Sequence, residues 1–152
     1  MPGYPVVIPY GGPPAASLRM LDLQLIRSPW AWTYKPLGQS QPVTVGIDGL
    51  SYIRSWGRHL FEIPADRHVN LSVHIVSNTQ AGTAWLVLSP HEPAVLDYSA
   101  PANINFSGSI GPRGTTSAKG AGLQGCLLAG LVIALGLLIV VPLIVVVALA
   151  TG

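Results

Sequence analysis

Four histidines, His59, His68, His74 and His91, are the side chains of this sequence best suited to bind a metal ion or move a proton, and two carboxylates, Asp66 and Glu92, stand close to them along the chain. A metal site needs three or four such ligands converging on one point. His68 and His74 fall on the same side of an extended segment, but they stand six positions apart, about 20 Å at a rise of about 3.3 Å per residue, so they cannot share one ion. Asp66 and His68 match in parity, and His91-Glu92 is a polar step between two prolines, yet neither pair has a third partner at a fixed spacing. The patterns Gly-x-Ser-x-Gly, His-Glu-x-x-His and the phosphate loop are missing. The glycines of Gly108-Ser-Ile-Gly111 and Gly120-Ala-Gly122 lack the strand-helix-strand context of a dinucleotide fingerprint. These residues therefore predict no enzyme, no cofactor and no metal centre. Cys126 is the single cysteine, which excludes an internal disulfide; it is an inert small apolar residue or, beside a membrane, an acylation site.

The composition points to lipid. The chain has 152 residues, enough for one domain and an appendage. Hydrophobic residues make up 49% and charged residues only 9%, against roughly 25% charged in an ordinary soluble domain. A net charge of +2 without a basic run is too weak a field for nucleic acid, which needs clustered Lys and Arg. All charged side chains lie between Arg19 and Lys119, and Cys126 to Ala150 is an uncharged apolar run of 25 residues. About 20 apolar residues cross a hydrocarbon core as a helix, and a helix apolar all round cannot be wrapped by what remains of so short a chain. Residues 126–150 are thus predicted to form one transmembrane helix, kinked at Pro142. The N-terminal residues have neither a basic region nor a continuous apolar core, so no secretory signal is expected there. Arg113 and Lys119 precede the helix and only Thr151 and Gly152 follow it, which predicts a single-pass tail anchor in the cell membrane with the N-terminal domain cytoplasmic. Gly130 and Ala134, preceded by Gly125 and Ala129, make a small-xxx-small face on which a second helix could pack.

The residues before the anchor read as β structure. Positions 1–18 carry Pro2, Pro5, Pro9, Pro13 and Pro14 and are expected to be an extended lead-in. From Arg19, short β-branched and aromatic runs alternate with turn residues at the spacing of an all-β sandwich. The expected strands are 21–27, 42–47, 52–55, 59–63, 68–76, 83–88, 94–98 and, weakest, 103–107. Alternation is clearest in His68 to Val76: Val69, Leu71, Val73 and Ile75 share the inward face, while His68, Asn70, Ser72 and His74 share the outward one. Phe61 and Ile63 keep the inward parity before Pro64-Ala65-Asp66-Arg67, which suggests a hairpin joining the two segments. Asp48-Gly49 marks another turn, and Asn78-Thr79-Gln80 with Gly82 a third. Trp30, Trp32 and Tyr34 alternate, and are read as core or edge packing, with a membrane-interface patch as the alternative. Residues 108–125 have linker composition. The expected architecture is a small antiparallel β-sandwich over 19–107, a flexible linker over 108–125 and the transmembrane helix.

The run from Val43 to Tyr98, with its Asp48-Gly49 turn, the Trp56-Gly57 step, the Pro64 to His68 loop and a Val-rich strand, resembles PEGA-like small β-sandwich domains and short membrane-anchored β proteins of actinobacteria. The PEGA pattern has glycine where Asp66 or Arg67 stands here, and its repeat signature is absent. The resemblance implies a non-catalytic, immunoglobulin-like sandwich that mediates assembly or binding. The expected function is a non-enzymatic accessory or scaffold subunit. Its partners would be membrane lipid and another membrane protein or a second copy of itself. The alternative is a ligand-binding module built on the face of His68, Asn70, Ser72 and His74, with His59 and the Trp-rich segment around it.

Overall fold

The structure is a computed structural model that describes residues 6–29, 41–76, 81–103 and 105–120. The apolar run with Cys126, Gly130 and Ala134, and the aromatic segment with Trp30, Trp32 and Tyr34, lie outside the described residues. Among the described residues the chain is mostly β and has no helix. The strands are β1 (Val7–Ile8), β2 (Leu18–Ile26), β3 (Val43–Ile47), β4 (Leu50–Arg54), β5 (Gly57–Pro64), β6 (Val69–Ile75), β7 (Ala81–Leu88), β8 (Val95–Ser99) and β9 (Ser109–Pro112). They form two sheets, one in the order β1-β5-β2-β8-β9 and the other β4-β3-β6-β7.

The strands form because one side of each is apolar at every second residue. In β6, Val69, Leu71, Val73 and Ile75 are at most 1% exposed. They meet Val43, Val45 and Ile47 of β3 and, from the other sheet, Leu21, Leu23 and Leu25 of β2, Phe61 of β5 and Tyr98 of β8 in one core. Each such aliphatic side chain contributes about 1.5–3 kcal/mol when fully buried. That shared core makes the two sheets a sandwich.

The architecture departs from the expected antiparallel one in three places. The first sheet is mixed: β1 runs parallel to β5, and β2 runs parallel to β8. The chain reaches β8 after crossing through the other sheet, so it enters beside β2 in the same direction. Second, β5 and β6 are not a hairpin. They belong to different sheets, and residues 64–68 arch from one layer to the other. Inward parity of Phe61, Ile63, Val69 and Leu71 suits an arch as well as a hairpin, because either puts these residues into the core. The N–H of Ala65 donates to the Ser17 carbonyl at 2.9 Å, which draws the arch toward β2.

Third, the expected linker is structured up to Gly120. Residues Ser109–Pro112 form β9 on β8, and the N–H of Ala102 donates to the Lys119 carbonyl at 2.9 Å. Glycine serves close approach here: a Cβ on Gly108 would lie 2.4 Å from the Gly82 carbonyl oxygen and 2.5 Å from the Tyr98 ring. The weak strand expected at 103–107 is absent from its described residues, 103 and 105–107. Its backbone bends, with the Phe106 N–H donating to the Asn103 carbonyl at 3.1 Å.

Of the expected lead-in, residues 6–17 are described: a short strand and then bends. Val7–Ile8 adds to the edge of β5, and the Arg67 guanidinium donates to the carbonyls of Pro13 and Pro14. Asp48-Gly49 forms the expected two-residue turn between β3 and β4, with φ of 50° and 85° as a type I′ turn requires. The Asp48 carboxylate also accepts from Tyr10 Oη at 3.1 Å and from the Asn70 N–H at 2.9 Å, tying lead-in, turn and β6 together. Asparagine tolerates positive φ and keeps an acceptor oxygen. One of the two accepting oxygens is lost, so Asp48→Asn should cost about 0.5–1.5 kcal/mol in urea unfolding.

Candidate binding face

The outward residues of β6 define the face. Register places Gly46 of β3 opposite Ser72, with Ser51 of β4 beyond it and Trp85 of β7 on the other side. The neighbouring rows bring Ile53 and Thr44 beside His74, and Val87 beside Asn70. Asn70, Ser72 and His74 thus share one surface as the alternation predicts. His68 stands just before the strand begins and is exposed. A Cβ on Gly46 would approach Ser72 Oγ to 2.2 Å, so a side chain there would turn the serine hydroxyl aside. The serine hydroxyl lies over the space a side chain at position 46 would fill.

Sequence patterning did not mark Trp85 or Val87, which are 82% and 53% exposed. The run Thr83-Ala84-Trp85-Leu86-Val87-Leu88 is apolar on both faces, so alternation does not say which side is buried. The excess of large apolar residues over one core face was the available signal. Trp85 stands between two hollows. One, of about 350 Å³, runs from Gly49 past Asn70 and Ser72 to Trp85 and Val87. The other, of about 200 Å³, lies on the β9 side among Thr83, Ser107, Ser109 and Lys119. The larger hollow carries no ionisable side chain. Its chemistry is that of an indole, a valine, an amide and a hydroxyl: apolar contact and neutral hydrogen bonds.

The opposite face of the molecule is electrostatic. Asp22 on β2 accepts both Arg58 and Arg113, at 2.8 Å and 2.9 Å, and Arg113 also reaches Asp97 at 3.3 Å. Asp97 is closed in further by the Gly114 N–H at 2.7 Å. Hydrogen bonds from Arg58 first, then from Arg113, hold the Asp22 carboxyl down at about 2. Both guanidinium groups are raised in turn, by the Asp22 carboxylate above all. Every carboxylate and guanidinium in this network is satisfied by another, which describes a structural clasp between β2, β5 and the segment after β9.

The remaining histidines do not join the face. His59 lies on β5, its Nε2 2.8 Å from the Ser55 carbonyl and its ring against Phe61. His91 is exposed in the turn between β7 and β8. Among the described residues no group of three His, Cys, Asp or Glu side chains comes together around a common point. No family model, no curated protein and no solved structure matches the chain.

Proposed function

We propose that the chain is a non-enzymatic, single-pass membrane protein that acts as an accessory or scaffold subunit, its β domain binding another membrane-associated protein across the outer face of β4-β3-β6-β7. The observation that carries this reading is the contrast between the two sheet faces. One is closed by the Asp22 ion pairs, while the other leaves Trp85 82% and Val87 53% exposed next to each other on β7, with Ile53 exposed on the far edge strand β4 and the Asp48 carboxylate turned onto the Asn70 N–H at the end of its row. Exposed aromatic and aliphatic groups framed by neutral polar ones are the usual core of a protein contact. The 25-residue uncharged run after the β domain supplies the anchor. Arg113 and Lys119 on its N-terminal side favour a cytoplasmic β domain. The resemblance to PEGA-like sandwiches fits the same role.

The test uses the full-length chain in native membranes. It should float with vesicles after carbonate washing. A photo-crosslinker at position 53 should yield a discrete adduct with a second membrane protein. Trp85→Ala should abolish that adduct and leave stability within about 0.5 kcal/mol, since the indole touches mainly solvent. Recovery in the high-speed supernatant, or an adduct unaffected by Trp85→Ala, would refute the proposal.

A second reading rests on the 350 Å³ hollow between Trp85 and Ser72, which lies at the lower end of the size range of small-molecule sites, about 300–1,000 Å³. There the β domain would hold a small neutral ligand against the indole. Quenching of fluorescence by such a ligand in the wild type, lost in Trp85→Phe, separates this reading from the first.

A further inference from the structure

We infer that β7 is an addition edge for a second copy of this chain: two β7 strands pair antiparallel about a two-fold axis at Leu86 and join the two four-stranded sheets into one eight-stranded layer. This goes beyond the proposed role, since it concerns the strand edge and not the partner on the face.

The direction of the backbone groups follows from the register. The Asn70 carbonyl accepts from the Asp48 N–H at 2.9 Å and the Val76 N–H donates to the Pro42 carbonyl at 3.0 Å. Even-numbered residues of β6 therefore turn their backbone groups toward β3, and odd-numbered ones toward β7. Leu71 and Val69 then exchange hydrogen bonds with Leu86 and Leu88, their register partners. Trp85 and Val87, opposite Ser72 and Asn70, are the non-bonded pairs, and their N–H and C=O groups point away from β6. Thr83 has the same phase and provides a check: its carbonyl accepts from the Gly108 N–H at 3.2 Å, on the side away from β6. Beyond that contact, no strand among the described residues pairs with β7 on this side.

Natural sheets protect such an edge with lysine, proline, short length or inward charges. Ala81–Leu88 has no lysine, proline or charge of its own; its start is irregular in register and lies beside Gly108 and Lys119, which leaves Trp85–Leu88 as the open stretch of the edge. The cross-strand chemistry selects the occupant. With the axis at Leu86, Trp85 of each copy lies opposite Val87 of the other, and the two pairs make four main-chain hydrogen bonds. An aromatic residue opposite a β-branched one is a favourable cross-strand pair, and these two side chains are the most exposed of the strand. An axis at Trp85 would instead set Thr83 opposite Val87, where the Thr83 carbonyl is already engaged by Gly108. The strand carries no charge, so its own copy meets it without repulsion. The contact is isologous and closes as a dimer.

The full-length chain in detergent should have a protein mass of two chains by light scattering. Val87→Lys should raise the dimer dissociation constant at least about tenfold, whereas Ser117→Lys, an exposed site after β9, should leave it unchanged. Leu86→Cys in a Cys126→Ser background should cross-link under mild oxidant, because directly opposed non-bonded residues bring their Cβ atoms within disulfide reach. A single-chain mass for the wild type, a dimer that survives Val87→Lys, or an absent Leu86→Cys cross-link each overturns the inference. Flotation is unaffected by any of these substitutions, so failure here is distinct from failure of the membrane role.

Discussion

A chain carrying Tyr98→Ala is expected to lose about 4 kcal/mol of stability, while Tyr98→Phe loses about 1–2 kcal/mol, both read from urea unfolding at neutral pH. Among the described residues Tyr98 is the largest fully buried side chain, at 0% exposed. Its ring stacks on Trp56 with centroids 6.4 Å apart, and its hydroxyl donates to the Gly82 carbonyl at 2.7 Å. Gly82 lies at φ 63°, beside the irregularity in the β6–β7 register between Val73 and Ile75. The tyrosine therefore joins β8 to the bulged start of β7, and Gly108 packs against the same ring. Alanine removes the packing and leaves a cavity among residues of both sheets. Phenylalanine keeps the ring and removes only the donor, which leaves a buried carbonyl short of its partner. A domain of this size has a total stability of about 5–15 kcal/mol, so the alanine variant approaches the unfolding threshold. Equal losses for the two variants would show that the hydroxyl, and not the ring, holds this corner.

Several elements of the fold were legible because one physical rule dominated locally. The inward face of β6 was plain from its period of two, and the Asp48-Gly49 turn from the positive φ it needs. The partners of each strand were not legible. Phe61 and Val73 enter the core from opposite sheets, and parity alone satisfies either arrangement. Composition also misled at residues 108–120. Glycine that frees a chain and glycine that lets two backbones meet look the same in one dimension, and only the distance from Gly108 to Gly82 and Tyr98 separates them.

The candidate face shows the same limit. Asn70, Ser72 and His74 could be grouped from alternation within one strand. Trp85 joins them only through its register with Ser72, a pairing across 13 positions of chain that no local pattern encodes. Likewise the ion pair between Arg113 and Asp22 spans 91 positions. Local periodicity fixes which side of a strand is wet; long-range pairing decides what that side becomes.

That long-range ion pair sets the acid sensitivity of the domain. In the folded state Asp22 titrates at about 2, against a usual 3.8, because Arg58 and Arg113 donate to its carboxylate. The unfolded chain thus binds the proton more readily, and stability must rise with pH across this interval. The contribution is fully present above about pH 4 and fades as the pH falls toward about 2. A shift of this size corresponds to about 2.4 kcal/mol at most. The guanidinium partners are 54% and 40% exposed, and solvent screening reduces the value to about 1–2 kcal/mol. Asp22→Asn should therefore be less stable than the wild type by that amount at pH 6, and the two should converge near pH 2 in urea unfolding. The slope remaining in the variant comes in part from Glu92, whose carboxyl is also lowered, first by the backbone N–H of Ser89. Parallel pH profiles for wild type and Asp22→Asn would show that Arg113 is held by Asp97 alone and that Asp22 does not fasten the segment after β9. Convergence at low pH would instead show that one carboxylate joins β5, β2 and the chain beyond β9, the segment from which the apolar run departs.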